Sequence, residues 1–164
     1  MRDTATLRQA LAEYLRQCGL EAVTAWGQAG RLRPGRAAAA VSLRAIEGGT
    51  PGFRDYLGEW YDLGSGQWKE RYGKKVELTF GVDISAATAE EVQTGIDALS
   101  AALSQGGPEG LCSVGFSAGE TVYDQTAKRY VCPAQARFSA WAVAETGEED
   151  GAFLDFEVKG ESKV

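Results

Sequence analysis

The chain has 164 residues, of which 44% are hydrophobic and 24% charged, as in a soluble globular domain of ordinary size. It contains no histidine, which excludes Ser-His and Cys-His hydrolases and zinc sites with histidine ligands. No apolar run approaches the ~20 residues of a membrane-spanning helix, and the N-terminus has no signal-peptide pattern. We therefore expect no membrane contact, and a protein that stays in the cytoplasm unless it leaves within a larger assembly.

Charge is distributed unevenly along the chain, whose net charge is −6. Residues 1–75 hold twelve Lys or Arg against eight Asp or Glu, a net +4, whereas residues 76–164 hold five against fifteen, a net −10. This acidic balance argues against a free nucleic-acid-binding domain, which is normally basic. The opposite net charges of the two halves suit head-to-tail contact between identical subunits, although ordinary solvation of charged side chains explains them equally well.

The N-terminal part predicts a helix followed by two strands. Asp3 or Thr4 can cap a helix that ends at Gly19 and carries an apolar stripe of Leu7, Leu11 and Leu15. Residues 20–26 predict a first strand, and the alternation in residues 38–47 predicts a second. We expect these strands to pair as a long hairpin across a mobile, basic connection, residues 27–36.

An aromatic third strand is predicted at residues 53–62, with Gly58 marking either a bulge or a close approach of the backbone. Residues 63–73 contain three glycines and read as a flexible connection, yet they include Trp68 and Tyr72. A solvent-exposed loop has no need of these two side chains. The segment is therefore either a loop that caps the core or a contact between subunits.

The clearest pattern is a strand followed by a capped helix. From Val76 to Ile84 apolar residues occupy every second position, which predicts a strand with one buried face. Thr88 and Glu91 form a capping box, in which the Thr88 hydroxyl accepts from the Glu91 amide and the Glu91 carboxylate accepts from the Thr88 amide. The helix behind it has one apolar stripe and ends at residues 106–108; the stripe is Val92, Ile96, Leu99 and Leu103.

The C-terminal part predicts a long twisted hairpin, residues 111–123 and 129–145, with a turn at residues 124–128. A last short strand contains Phe153, Phe156 and Val158. The order of elements predicts an α+β fold, with a single antiparallel or mixed twisted β-sheet and two main helices packed on one face. We expect residues 1–160 to form a single domain and residues 161–164 to be a loose polar tail.

Candidate chemical groups do not assemble into a catalytic site. The three cysteines, Cys18, Cys112 and Cys132, lack a CxxC pair and are interpreted as buried thiols. A basic loop of Arg31, Arg33 and Arg36 can grip phosphate, but a solvated hairpin tip is the favoured interpretation. An acidic loop of Glu148, Glu149 and Asp150 lies among glycines, where we expect solvated and mobile side chains, which are poor conditions for a catalytic carboxylate. We therefore expect no catalytic residue, no metal, no cofactor and no enzyme activity.

Residues 70–85, with the sequence ERYGKKVELTFGVDIS, resemble small proteins of prophage tail-assembly clusters. The resemblance continues through residues 88–103 and 117–124 to residues 153–156. The order of elements is also similar to that of tail-terminator and head-tail joining proteins of long-tailed phages. For that family the resemblance implies a virion tail protein, made in the host cytoplasm, that forms a hexameric ring, caps the tail tube and offers a docking surface for the head. The implied partners are further copies of the chain, the tail-tube protein and the head-tail connector, and DNA passes through the ring without specific binding.

The expected subunit contact uses the region around Trp60, Trp68, Arg71 and Tyr72 against the hairpin of a neighbour, with Trp68 and Tyr72 as anchors. Two alternatives remain open at this point. The chain can be another phage neck, baseplate or minor tail subunit. It can also be a non-viral, small-ligand-binding α+β domain with Trp26, Trp60 and Trp141 around a cavity.

Overall fold

The computed structural model describes residues 3–25, 35–48, 56–147 and 155–159. In chain order these residues form α1 (Thr4–Gln17), β1 (Glu21–Val23), β2 (Ala38–Glu47), β3 (Tyr56–Asp62), β4 (Gln67–Ala86), α2 (Ala89–Ser104), β5 (Cys112–Ala118), β6 (Val122–Asp124), β7 (Arg129–Cys132), β8 (Ala134–Gly147) and β9 (Asp155–Lys159). The nine described strands belong to one mixed sheet, and both helices pack on the same face of it. The predicted α+β class with a single sheet is thus confirmed.

Both helices begin and end where the sequence predicts. The Asp3 carboxylate accepts from the Thr6 amide at 2.7 Å and caps α1, whose buried stripe includes Leu7, Leu11 and Leu15. The Tyr14 hydroxyl donates to the Ala102 carbonyl at 2.8 Å and ties α1 to α2. The helices therefore form one layer over a common core.

Only half of the predicted capping box of α2 forms. The Thr88 hydroxyl accepts from the Glu91 amide at 3.2 Å, as predicted. The prediction that the Thr88 amide donates back to the Glu91 carboxylate is wrong. Glu91 Oε2 is instead buried without a hydrogen-bond partner. The remaining stripe packs as predicted, with Val92 and Leu99 fully buried.

β4 is the central strand of the sheet. Along one edge it pairs with β2 and β3, and along the other with β8 and β7. The predicted alternation is confirmed, since Val76, Leu78, Phe80, Val82 and Ile84 are all buried. These side chains face the helices, so we call this the inner face of the sheet and the opposite one the outer face.

The connection predicted at residues 63–73 is wrong. Only residues 63–66 form a turn, and β4 already begins at Gln67. Residues 67–72 pair with β3 on one side, and residues 69–73 pair with β8 on the other. Pairing on both sides holds this segment extended even though its side chains show no apolar alternation.

The predicted hairpin of the first two strands is also wrong. β1 pairs with β2 in parallel, with Glu21 opposite Ala38 and Val23 opposite Ala40. The connection between them is long enough to return the chain to the starting end of β1, which a parallel pair requires. A register shift between Leu43 and Ala45 places Leu43 opposite Phe80 but Ala45 opposite Thr79, so the predicted alternation of the second strand does not continue past the shift.

The predicted C-terminal hairpin is present but divided. β5 pairs with β8 and β6 pairs with β7, and the chain bends where the Gly119 amide donates to the Pro133 carbonyl at 2.7 Å. The predicted turn is confirmed, because Asp124 Oδ1 accepts from the Thr126 and Ala127 amides. β9 pairs antiparallel with β8 in the position of the predicted last strand. Phe153 and the polar tail, residues 161–164, lie outside the described residues.

One part of the sheet extends beyond the helices. The helices pack mainly on β1, β2, β4, β5 and β7. The part left over consists of β3, the start of β4 and the ends of β8 and β9 that pair beside it. We call residues 56–73, with the β8 and β9 residues paired to them, the arm.

Candidate interaction surface

The arm exposes a cluster of large apolar side chains. Exposed fractions range from 37% for Trp60 to 89% for Leu63. The cluster comprises Tyr56, Leu57, Trp60, Tyr61, Leu63 and Trp68. Single exposed apolar side chains are normal on a protein surface, but a contiguous group of them marks a site of interaction.

The tip of the arm is a turn fixed by Asp62. Its carboxylate accepts from the Gly64 amide at 3.0 Å and from the Ser65 hydroxyl at 2.8 Å, and it pairs with the Lys69 ammonium at 2.7 Å. Lys69 contributes most to lowering the pKa of Asp62 to about 2. Gly66 has a φ of 68°, which permits its amide to donate back to the Asp62 carbonyl. The turn is therefore ordered within the chain itself, with Leu63 presented at its end.

The outer face of the arm combines an indole with cations. The Lys69 ammonium lies 5.6 Å from the centre of the Trp60 ring, and the Arg71 guanidinium lies 5.9 Å from it. Both distances are within the range of a cation–π interaction. Further along the same face, Lys75 is paired across the strands with Trp141. On the β8 side of this face Glu145 is opposite Arg71, and Asp155 is opposite Glu145, so acidic as well as basic positions surround the indole.

The inner face of the arm is aromatic and carries acids. Tyr61 and Trp68 pack edge to face with ring centres 5.5 Å apart. Tyr56 covers Tyr72 in the same way at 5.6 Å, and the Tyr72 hydroxyl donates to the Glu70 carboxylate. That hydrogen bond is the main cause that raises the pKa of Tyr72. These edge-to-face pairs are a favourable arrangement and fix the rings before any partner arrives.

The predicted contact residues have different exposures. Trp68 is 50% exposed and Trp60 is 37% exposed, so both can meet a partner, while Arg71 is half-buried. Tyr72 is only 8% exposed because Tyr56 of the same chain covers it, so Tyr56 presents the surface expected from Tyr72. A regular hairpin with its turn at residues 63–66 would place Leu57 opposite Tyr72, and the bulge between Tyr56 and Gly58 brings Tyr56 there instead. Gly58 was therefore the one signal in the sequence for this arrangement.

The other predicted groups do not join this surface. Arg36 is exposed at the start of the segment that leads into β2, whereas Arg31 and Arg33 lie outside the described residues. Glu148, Glu149 and Asp150 also lie outside them.

The cysteines are free, but only Cys132 is buried. The expectation of three buried thiols is wrong for Cys18 and Cys112, which are half-buried. Cys18 caps the C-terminal end of α1, and Cys112 begins β5, which pairs on one side with β8. Within the described ranges, no group of three or more Cys, Asp or Glu side chains is arranged to hold a metal ion. No helix in this part of the chain is long and apolar enough to cross a membrane.

Trp60 and Trp141 do not line a common cavity. Trp60 is paired with Lys69 and Trp141 with Lys75, and these positions on β4 are ~20 Å apart along the strand. Trp26 lies outside the described residues. A groove of about 910 Å³ lies elsewhere, beside the loop that follows α2, and its lining includes Lys75, Ser113 and Ser139 but no tryptophan.

No protein-family model matches this chain, and no curated protein matches it.

Proposed function

We propose that this chain is a structural virion protein of a tailed phage, of the tail-terminator or tail-completion type. In this role its copies close into a ring, six in the implied family, that caps the tail tube and helps join it to the head. The chain performs no chemical step, and its partners are its own copies, the tail-tube protein and the head-tail connector.

The observation that supports this proposal is the exposed aromatic cluster on the arm. Fully burying one large apolar side chain is worth about 1.5–3 kcal/mol. The six side chains of the cluster are about half exposed on average, so covering them releases several kcal/mol. These side chains lie on both faces of the arm and at its tip, so protein partners can cover them, whereas a small ligand needs a concave site.

The arm also supports assembly because it is ordered beforehand. Its rings are fixed by the edge-to-face pairs, and its turn is fixed by Asp62. A partner that binds it therefore loses little side-chain freedom, and more of the burial energy is left for association. A contact between two different surfaces relates each subunit to the next by a constant rotation, and it closes a ring when that rotation divides a full turn.

The charge balance supports the passage of DNA through such a ring. Residues 76–164 carry a net charge of −10, and acidic side chains repel the phosphate backbone. A channel wall with this charge lets DNA move without binding it.

A different phage role, in the neck, the baseplate or as a minor tail subunit, would use the same arm. Binding to purified tail-tube protein separates these roles: a terminator binds the end of the tube and stops its growth, whereas a baseplate subunit does not stop growth at the head-proximal end. Electron microscopy of tubes grown with and without the protein measures their length, which a terminator limits and a baseplate subunit does not.

The decisive variant is Trp68→Asp. A tryptophan side chain covers about 200 Å², so the half that is exposed at Trp68 corresponds to ~100 Å² and about 2.5 kcal/mol of contact. Removing that contact weakens each subunit contact about 70-fold, before the cost of burying the new carboxylate is added. We expect the wild-type protein to be a ring by light scattering and Trp68→Asp to be a folded monomer.

The matched control is Ile46→Asp, because Ile46 is 52% exposed on β2 and lies outside the arm. It introduces the same charge at a similar exposure, so the ring should persist. A wild-type protein that stays monomeric across a dilution series contradicts the proposed function. A Trp68→Asp ring of unchanged mass contradicts the role of the arm.

A further inference from the structure

The inner face of the arm carries two acids directly opposite each other. Glu59 on β3 is paired with Glu70 on β4, and both side chains are exposed. Directly paired residues of antiparallel strands have Cβ atoms about 4.5–5.5 Å apart, and two like charges at this separation are destabilising. Glu70 accepts a hydrogen bond from the Tyr72 hydroxyl, but within the part of the chain that the structure describes no Lys or Arg side chain pairs with either acid.

The positions around these two acids do not neutralise them. The register of β8 brings no charged residue opposite Glu70. The next cation along the inner face of β4 is Lys74, which lies ~13 Å from Glu70 along the strand with Tyr72 between them. Lys69 and Arg71 belong to the outer face. Two negative charges are therefore held side by side without a counter-charge from the described residues.

Aromatic pairs lie on both sides of the acids on the same face. Tyr61 and Trp68 form the pair nearer the tip, and Tyr56 and Tyr72 form the pair nearer the body of the sheet. Along β4 each pair is ~6.8 Å from the acids, which is the length of two residues in a strand. Desolvation raises the pKa of Tyr56, and both carboxylates raise it further, so the acids act on this ring.

Negative charge between aromatic rings is an arrangement that suits an organic cation. Ring faces attract a cation, and a guanidinium group can form charge-assisted hydrogen bonds with carboxylates. Arginine fits better than lysine, because its group is planar, weakly hydrated and able to stack on rings. A Ca²⁺ or Mg²⁺ ion needs about six or more oxygen ligands, which two carboxylates do not supply.

We infer that the inner face of the arm binds an extended segment of a partner protein with the pattern apolar–x–Arg–x–apolar. Alternate residues of an extended segment face the same way at intervals of ~6.8 Å, which equals the spacing of the acids and the aromatic pairs. The arginine then lies between Glu59 and Glu70, and the two apolar residues cover Trp68 and Tyr56. The inference rests on the proposed function for the existence of a protein partner, and it names the side chains that this partner presents to the arm.

Two short peptides test the inference on the full chain. The probe is the capped pentapeptide Leu-Ser-Arg-Ser-Leu, and its control carries citrulline, which has nearly the shape of arginine but no charge. Saturation-transfer NMR with the peptide in large excess measures such weak binding. We expect the citrulline peptide to bind at least about fivefold more weakly, because the contacts with two carboxylates and the rings lose their charge.

Glu59→Gln separates binding from folding. It should weaken binding of the arginine peptide about two- to fivefold and leave binding of the citrulline peptide unchanged. It should also raise the melting temperature of the chain by about 1–4 °C, because it removes repulsion between the two acids. A side chain that served only the fold would not combine weaker binding with higher stability.

The matched control is Glu47→Gln. Glu47 on β2 is directly opposite Glu77 on the outer face, and both are exposed, so this acid pair resembles the first one but has no aromatic pairs on either side of it. The substitution removes the same charge from the chain. It should leave the binding of both peptides unchanged.

The outcomes separate this inference from the proposed function. If both peptides bind equally well, or if Glu47→Gln weakens binding of the arginine peptide as much as Glu59→Gln does, the inference is overturned. A wild-type ring with either of these results keeps the proposed function. A wild-type chain that prefers the arginine peptide through Glu59 but stays monomeric contradicts the ring, whereas the arginine site stands.

Discussion

The arm leaves the body of the sheet at Gly73, where β4 and β8 approach closely. A Cβ atom at this position would lie 2.6 Å from the Ala142 carbonyl oxygen and 2.9 Å from Leu57 Cδ1. The Leu57 methyl group can turn aside, but the Ala142 carbonyl belongs to the backbone of β8 and cannot. Gly73→Ala must therefore push the two strands apart, which costs about 1–3 kcal/mol, while replacing a strand glycine returns about 0.5–1 kcal/mol.

We expect Gly73→Ala to lose about 1–2 kcal/mol of unfolding free energy, equivalent to a fall of ~2–8 °C in melting temperature for a chain of this size. Differential scanning calorimetry of the purified protein measures it. The matched control is Gly115→Ala in β5, where the nearest atom to the new Cβ is Arg137 Nη2 at an ordinary 3.6 Å. That variant should melt at or slightly above the wild-type temperature. If Gly73→Ala melts as high as Gly115→Ala, β4 and β8 do not approach as described and the geometry of the arm is wrong.

Two further predictions concern the helix cap and the turn. Thr88→Ala removes the hydroxyl that caps α2 and should cost about 1 kcal/mol by thermal denaturation, whereas Thr94→Ala, at an exposed position inside the helix, should cost little. Folding lowers the pKa of Asp62 from 3.8 to about 2. Its ionised carboxylate therefore stabilises the fold fully at pH values above 3.8, and this stabilisation is lost as the pH falls towards about 2, the pKa in the folded state. The difference in melting temperature between wild type and Asp62→Asn should therefore be constant near neutral pH and shrink on acidification to about pH 2. If the difference in melting temperature between the two proteins stays constant over this pH range, the Asp62 carboxylate does not stabilise the turn as described.

The parts of the fold that the sequence predicted are those set by local patterns. The alternation from Val76 to Ile84 predicted the buried half of β4, and the caps at Asp3 and Thr88 predicted both helix starts. The turn at residues 124–128 followed from Asp124, whose side chain binds the amides of the turn. In each case the information lies within a few residues of the element.

The parts that the sequence did not predict depend on strands far apart in the chain. Residues 67–73 place three consecutive charged side chains between Trp68 and Tyr72, so they show no apolar period and looked like a loop. Their extended form comes from β3 and from the end of β8, about 75 residues later in the sequence. The parallel pairing of β1 with β2 is also nonlocal, since strand direction depends on the path of the connection and not on the residues of the strands.

Only part of the candidate surface was predicted, because the rest depends on strand pairing that is not local. Trp68 was identifiable because its side chain is out of place in a solvent-exposed loop, and Trp60 lies in the aromatic strand predicted before that segment. Both are exposed on the arm. The burial of Tyr72 under Tyr56 required the register of the β3–β4 hairpin, which the bulge between Tyr56 and Gly58 shifts by one residue.

The form of β3 indicates how the arm makes contact. Among the described strands β3 pairs only with β4, so its outer edge could in principle receive a strand from another molecule. The bulge beside Gly58 interrupts that edge, and Glu59 and Asp62 add charge to it. Both features oppose strand addition, whereas neither hinders contact through the two faces, where the exposed aromatic side chains lie. The arm is therefore suited to docking by its side chains, because face-to-face contact uses the rings that the hairpin holds in place and leaves the irregular edge in water.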